Sequence, residues 1–211
     1  MKNFIFFLII ISFLNCARQV VKNQKEGESL LENIYKWQDK VKRKMGTGEM
    51  IVSESNNRFS SYFSFEYDVE SKTLKGELLG SFGMVIGSFY FSSDSISMKD
   101  KENREVKEEI FSLLEENPEL SLPRFLMWDI PISSNPEVIP LEKGWILAEG
   151  DLEVFVSQDL KPIKVVLNKN GKISINYSDF LTEKGILSPG KVEAKTENKN
   201  LLIEFRKIQI E

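Results

Sequence analysis

The chain has 211 residues, a formal net charge of −4 at pH 7, one cysteine and no histidine. This length suits one domain with a sizeable core, and the mildly acidic mixture of charges gives no reason to expect nucleic acid as a partner. A single cysteine excludes a disulfide within the chain. The lack of histidine removes the commonest general base and the commonest zinc ligand.

Residues 1–15 have the pattern of a secretory signal. Lys2 precedes an almost unbroken apolar run over residues 4–13, which is shorter than the ~20 residues that span a membrane. Leu14-Asn15-Cys16 follows, and Cys16 is the only cysteine in the sequence. We therefore predict a signal peptide over residues 1–15. An ordinary signal peptide with an incidental cysteine and an uncleaved anchor helix remain open alternatives.

A tether and a helix are expected next. Residues 16–27 are polar, which predicts a flexible tether spanning about 20 Å on a random-coil estimate, before a domain over residues 28–211. Ser29-Leu30-Leu31-Glu32 fits a capping box, so we expect a helix that begins at Ser29 and ends near Met45-Gly46. Its apolar stripe holds Leu30, Ile34, Trp37 and Val41.

After Gly48 the apolar period changes to that of a strand, in which alternate side chains share a face. The clearest strand, residues 58–68, places Phe59, Phe63, Phe65 and Tyr67 on one face. Further strands are expected over residues 50–54, 72–79, 84–92 and 95–99. The short turns between them predict an antiparallel meander.

Helical spacing returns in the middle of the chain. Residues 103–116 predict a helix whose apolar positions include Ile110 and Leu113, and residues 120–128 predict a second, shorter helical piece ending at Trp128. Residues 130–141 contain three prolines and are interpreted as an irregular crossing loop.

Strand patterns resume at Gly144. We expect strands over residues 144–148, 152–157, 162–168, 173–180, 191–196 and 201–210, separated by turn signals. The predicted fold is mainly β (α+β): a single, strongly curved antiparallel sheet, or half-barrel, of about 10–11 strands. The N-terminal helix and the helical insertion are expected to cover its concave apolar face.

The candidate chemical sites are weak. Glu108-Glu109 and Glu115-Glu116 fall on predicted polar faces, where a solvated surface is a better interpretation than acid–base catalysis. Gly80, Gly83 and Gly87 lie between antiparallel strands rather than at a strand-to-helix turn, so they do not predict a phosphate site. Without histidine no serine has the usual base, and metal ligation would rest on carboxylates alone. We therefore predict no enzyme activity, no cofactor and no metal.

This order of elements resembles the LolA/LolB lipoprotein-localisation family, and most closely its lipid-anchored LolB-like members. Three segments carry the resemblance: the strand over residues 58–65, the turn Gly80-Ser81-Phe82-Gly83, and residues 122–128 followed by Pro131. The family usually has proline where Ser81 stands, and a longer spacing between Trp128 and Pro131. These departures leave open a sister family of outer-membrane lipoproteins with the same fold.

The resemblance also implies a place in the cell. Leu14-Asn15-Cys16 resembles a lipobox, which makes Cys16 the expected site of acylation, for example by palmitate. Ala17 rather than Asp follows it, which by the family's rule favours export to the outer membrane, with the domain facing the periplasm. The implied partners are the acyl chains of lipoproteins or lipids, the membrane itself, and a periplasmic carrier protein as a candidate donor.

Three sets of residues receive candidate roles. By position, Phe82 matches the family's protruding residue that engages membrane, the alternative being that its ring folds back onto the sheet. The apolar stripe on the first half of the sheet is either the lining of a lipid cavity or plain core, because both use the same residue types. That stripe contains Phe59, Phe63, Phe65, Leu74, Leu78, Phe89 and Phe91. A movable lid is expected to contain Leu30, Ile34, Trp37, Val41, Ile110, Leu113 and Trp128.

The leading hypothesis is an outer-membrane lipoprotein whose apolar half-barrel binds acyl chains and aids the transfer or insertion of lipoproteins or lipids. The alternative is a structural or partner-docking envelope lipoprotein with a fully packed barrel and no ligand. If Cys16 is not acylated, a soluble carrier becomes the better interpretation.

Overall fold

The computed structural model describes residues 29–34, 40–54, 57–92, 95–102, 104, 122–133, 135–168 and 172–211. Residues 29–34 are helical and are called α1; α2 is Leu122–Leu126. The described strands are β1 (Arg43–Glu54), β2 (Asn57–Asp68), β3 (Thr73–Leu79), β4 (Val85–Phe91), β5 (Ile96–Asp100), β6 (Glu137–Leu141), β7 (Gly144–Glu149), β8 (Leu152–Ser157), β9 (Pro162–Leu167), β10 (Ile173–Ser178), β11 (Leu181–Glu183), β12 (Ile186–Ser188), β13 (Lys191–Lys195) and β14 (Lys199–Ile210).

Twelve of these strands form one antiparallel sheet in the order β5-β4-β3-β2-β1-β14-β13-β10-β9-β8-β7-β6. The last strand, β14, pairs with β1 and thereby joins the N-terminal and C-terminal meanders. Within the described part of the chain the sheet stays open, with β5 and β6 at its edges. This confirms the predicted half-barrel. The number of strands is higher than predicted, because the sequence did not reveal β6 or the separate β11–β12 hairpin.

One hydrophobic core lies on the inner face of the sheet. Inward residues of both meanders belong to it, for example Phe65 on β2 and Val165 on β9. Leu30 and Ile34 of α1 and Phe125 of α2 are buried in the same core. The helical residues therefore cover the apolar face of the sheet, as predicted.

The predicted extent of the N-terminal helix is wrong. Strand β1 begins at Arg43, within the segment expected to be helical, and Val41 is buried but not helical. Gly46 and Gly48 occupy inward positions opposite Phe65 and Phe63. A side chain there would meet those rings at 2.9 and 2.8 Å, so glycine is needed where an alternating strand pattern would normally show an apolar residue. The strand was hidden for this reason.

The prediction of a loop over residues 130–141 is wrong at its C-terminal end. Glu137–Leu141 is strand β6, and it pairs with β7. Pro140 lies in this strand, and it is tolerated because β6 is at the edge of the sheet, where a missing backbone N–H leaves no partner strand unbonded.

The β11–β12 hairpin was not predicted. Its strands have three residues each, too short for a visible alternation. Lys184 and Gly185 form the turn with φ angles of 51° and 76°, the positive values that a two-residue hairpin of the primed type requires.

Several predictions concern residues outside the described ones. These are the signal peptide, Cys16 and the tether, the helix over residues 103–116 except residue 104, with Ile110 and Leu113, and Trp37. Across the described ranges, no helix has the length and apolar character needed to cross a membrane.

Candidate functional site

The connection between β3 and β4 ends in a group of exposed apolar side chains, Phe82, Met84, Val85 and Ile86, which we call the apolar tip. Phe82 has a relative accessibility of 101%, so its ring points away from the sheet and does not fold back. The backbone at Phe82 has φ 61° and ψ 20°, a left-handed conformation that costs a non-glycine residue on the order of 1–3 kcal/mol. A hydrogen bond from the Gly80 amide to the Met84 carbonyl, 2.8 Å long, closes the base of the tip.

Aromatic rings contact one another over the middle of the inner face. The ring centres of Phe65 and Phe205 are 5.3 Å apart, those of Phe63 and Phe205 6.2 Å, and those of Phe63 and Phe89 6.3 Å. Phe89 in turn stacks on Phe91 at 5.3 Å. This packing brings together most of the residues predicted to line a cavity, and adds Phe205, which the sequence did not single out.

The remaining predicted lining residues divide into two kinds. Leu74 and Leu78 are buried in the same core. Phe59 is 37% exposed near the beginning of β2, on the same side of the strand as Phe63 but outside the packed rings. On the first half of the inner face, the described aromatic rings therefore pack against one another, with Leu74 and Leu78 buried beside them.

Residues 122–130, which we call the lid segment, lie against the inner face of the sheet. Three hydrogen bonds connect the segment to three different strands. The Lys44 amine on β1 donates to the Met127 carbonyl at 2.9 Å, and the Tyr177 hydroxyl on β10 donates to the Phe125 carbonyl at 2.9 Å. The indole N–H of Trp128 donates to the Pro162 carbonyl on β9 at 3.0 Å. The lid segment is thus attached to both halves of the half-barrel.

A buried carboxylate, Asp129, joins the lid segment to the turn between β2 and β3. Its side chain is 0% exposed and accepts a hydrogen bond from the Tyr67 hydroxyl at 2.5 Å. Arg124 donates to it through Nε at 3.2 Å and Nη2 at 2.9 Å, and the Lys72 amine lies 2.9 Å away. Burial alone would raise the pKa of Asp129, but hydrogen bonds from these three side chains hold it below the usual value.

Lys44 is an unusual lysine, because only 2% of its surface is exposed. Burial lowers the pKa of its amine to about 7, although the charge of nearby Asp129 opposes that change. Sequence reasoning missed both Lys44 and Asp129. Lys44 lay in the segment predicted as a helix, and Asp129 lay in the short connection between two predicted elements.

A second feature is a cleft of about 410 Å³ among α1, the lid segment, the β8–β9 turn and the β11–β12 hairpin, which we call the basal cleft. Its apolar wall is formed by Ile34, Trp128, Leu160, Pro162, Ile186 and Leu187. Asn33, Lys40, Asp159 and Lys161 supply its polar groups. The predicted lid residues Ile34 and Trp128 both line this cleft.

The apolar tip and the basal cleft lie at opposite ends of the strands. Leu79, just before the tip, pairs with Tyr62 in the half of β2 nearer the β1–β2 turn. Lys40 precedes β1, and the start of β1 pairs with the opposite end of β2. The registers through β14, β13 and β10 place the start of β9, next to Lys161, at the same end as the start of β1.

Comparison with known proteins gives a fold. No protein-family model matches the sequence, and no curated protein matches it. A domain from Vibrio parahaemolyticus assigned to outer membrane lipoprotein sorting superposes with a TM-score of 0.59 at 9% identity, over 90% of this chain and 94% of that one. A DUF1329 family protein from Desulfovibrio piger superposes with a TM-score of 0.60 at 10% identity, over 90% and 93%.

A LolA superfamily protein from Nitrosomonas europaea also superposes, with a TM-score of 0.52 at 7% identity, over 85% of this chain and 93% of that one. At such low identity these likenesses concern the fold alone. The order of strands in the sheet and these three structures agree with the resemblance that the sequence carried. The chain therefore has the LolA/LolB-like fold.

Proposed function

We propose that this protein is a lipid-anchored outer-membrane lipoprotein whose half-barrel binds acyl chains and aids the transfer or insertion of lipoproteins or lipids. The observation that carries the proposal is Phe82, a fully exposed aromatic ring held outward by a left-handed backbone. In water an exposed ring does not stabilise the folded domain, whereas its burial in a membrane is favourable.

The free energy gained by burying the ring favours a protein that is also anchored. Full burial of one large apolar side chain contributes about 1.5–3 kcal/mol. Phe82 by itself would therefore bind a bilayer only weakly and reversibly. A covalent lipid on Cys16 would supply the second attachment that stable membrane association requires. In this arrangement the anchor holds the domain at the membrane and the tip orients it.

Acyl-chain binding requires the inner face to open. The rings of Phe63, Phe65 and Phe205 fill part of that face, so a chain can enter only if the lid segment moves away from the sheet. That movement breaks the hydrogen bonds of Lys44, Tyr177 and Trp128, each worth about 1 kcal/mol net, together with the contacts of Phe125 and Trp128. It also breaks the hydrogen bond from Tyr67 to Asp129 and the ion pair between Lys72 and Asp129. The cost lies in the range that binding of an apolar chain could offset.

The solved neighbours support this direction. One of them is assigned to outer membrane lipoprotein sorting, and another to the LolA superfamily. None of the three is described by an enzymatic activity, which agrees with a sequence that contains no histidine. A periplasmic carrier would deliver the acylated cargo to the domain.

The proposal is tested by delivery of an acylated lipoprotein to liposomes. Phe82→Asp should weaken delivery and vesicle flotation, and should leave thermal stability unchanged because the ring makes no buried contact. Leu141→Asp is the control, because Leu141 is also an exposed large apolar residue but lies at the opposite end of the strands. Equal delivery by the Phe82→Asp variant and the unmodified protein would contradict a role of the tip at the membrane.

A second candidate function is an envelope scaffold with a packed barrel. The mutual packing of Phe63, Phe65, Phe89 and Phe205 favours it. Native mass spectrometry of protein purified without detergent separates the two. Bound acyl chains support the carrier. Lipid-free protein that also fails to bind a fluorescent fatty acid supports the scaffold.

A further inference from the structure

The basal cleft combines an apolar wall with two lysines among its lining residues. Lys40 and Lys161 both line it, and Lys161 lies 3.7 Å from Asp159 and 6.0 Å from the centre of the Phe180 ring. Among the described residues that line the cleft, two are positively charged and one, Asp159, is negatively charged, which gives a net charge of about +1 in a protein that is acidic as a whole. These described residues are therefore suited to a small anionic group.

The wall of the cleft is suited to a hydrocarbon chain. Trp128 and Ile34 present buried apolar surface on one side, and Leu187 of the β11–β12 hairpin lies on another. The volume of about 410 Å³ falls within the ~300–1,000 Å³ of small-ligand sites, which bury most of the ligand against apolar side chains and orient it with a few polar groups. A molecule that is apolar along its length and charged at one end matches this distribution.

We propose that the basal cleft binds a single-chain amphiphile with an anionic head group, a carboxylate or a phosphate monoester. Its alkyl chain lies on the wall formed by Ile34, Trp128 and Leu187, and its head group lies between Lys40 and Lys161. The inference rests on the proposed function, because it names the class of acyl compound that the protein handles and the end of the domain at which its head group is held.

The position of the cleft gives the inference a consequence. The cleft lies at the end of the strands opposite the apolar tip, so a ligand there leaves Phe82 free to contact a membrane. Trp128 belongs both to the cleft wall and to the lid segment, and its ring centre is 5.5 Å from that of Phe180 at the base of the hairpin. A ligand in the cleft would therefore contact the lid segment, which must move for the inner face to open.

Calorimetric titration at neutral pH with decanoate and decyl phosphate, each below its micelle concentration, and with decanol, below its solubility limit, tests the inference. These probes share one chain length and differ in the head group. The protein should bind at least one of the two anions more tightly than decanol. Lys40→Gln and Lys161→Gln should each lower the affinity for that anion by about two- to fivefold, as expected for a solvent-exposed ion pair. The affinity for decanol should stay unchanged. A higher salt concentration should also lower the affinity for the anion.

Two further variants locate the site. Lys143→Gln removes an exposed lysine from the β6–β7 turn, at the same end of the sheet but outside the cleft, and should change nothing. Ile186→Asp places a charge on the apolar wall and should abolish binding of all three probes while far-ultraviolet circular dichroism remains native.

The possible failures differ from one another. Equal affinity for decanol and both anions, unaffected by the lysine variants, would overturn the head-group inference and leave the acyl-chain proposal standing. Undiminished binding by the Ile186→Asp variant would overturn the cleft as the site. Failure of all three probes to bind the unmodified protein would overturn the inference, whereas acyl chains detected in native mass spectrometry of the same protein would leave the acyl-chain proposal standing.

Discussion

Replacement of Lys44 by methionine is expected to stabilise the protein at low pH. Methionine is similarly long and unbranched, so it can fill the space of the buried lysine without its charge. The pKa of the Lys44 amine falls from 10.5 to about 7 on folding, a difference that corresponds to about 5 kcal/mol. Loss of the hydrogen bond to the Met127 carbonyl returns about 1 kcal/mol of this gain.

The pH dependence identifies the cause. Below pH 7 the amine is charged in both states, so the whole penalty is present. Between pH 7 and 10.5 the unfolded chain binds a proton that the folded protein does not, so the stability of the unmodified protein rises by about 1.4 kcal/mol per pH unit from this group. The advantage of Lys44→Met should therefore be about 4 kcal/mol at pH 6 and about 1 kcal/mol at pH 9.

Urea unfolding followed by circular dichroism at these two pH values measures the effect. Lys207→Met is the control, because Lys207 is exposed on β14 beside β1. The reasoning is refuted if the advantage of Lys44→Met is the same at both pH values, or if the variant is less stable at pH 6.

Three other substitutions test the packing of the lid segment and of β1. Asp129→Asn should destabilise the protein by about 3 kcal/mol at pH 7 in urea unfolding, and this difference should shrink in acid as the native carboxylate is protonated. Tyr177→Phe removes the hydrogen bond to the Phe125 carbonyl and should cost about 1 kcal/mol, whereas an unchanged midpoint would mean that this bond contributes nothing net. Gly46→Ala should cost about 1–3 kcal/mol, because the new methyl group would overlap the Lys207 carbonyl oxygen and lie 2.9 Å from the Phe65 ring. Thr47→Ala, at the exposed neighbouring position, should leave the melting temperature nearly unchanged.

Much of the fold could be predicted from the alternation of apolar and polar residues. The strand that contains Phe63, Phe65 and Tyr67 was found with almost its full length, and residues 152–157 were found with their observed ends. Failures occurred where local sequence carries a different signal. Gly46 and Gly48 stand where β1 would otherwise show inward apolar residues, so its alternating pattern was absent. Pro140 made the edge strand β6 resemble a loop.

The candidate sites divide in the same way. The resemblance matched Phe82 to a protruding residue and left open a ring folded back onto the sheet; the structure shows the ring fully exposed. The basal cleft was not predicted, because its wall combines α1, the lid segment, the β8–β9 turn and a hairpin that are far apart in the chain. Its two lysines, Lys40 and Lys161, share no motif.

The sequence by itself determined the class of fold and the antiparallel meanders, because each depends on periodicity or turn chemistry within a few residues. Only the tertiary structure decided that Lys44 is a buried amine, that Asp129 binds Tyr67, Arg124 and Lys72, and that the tip and the cleft occupy opposite ends of the sheet. The physical reason is that burial, ion pairing and the shape of a cleft depend on which distant segments meet. That meeting is fixed by the pairing of β14 with β1, which brings the two halves of the chain around one core.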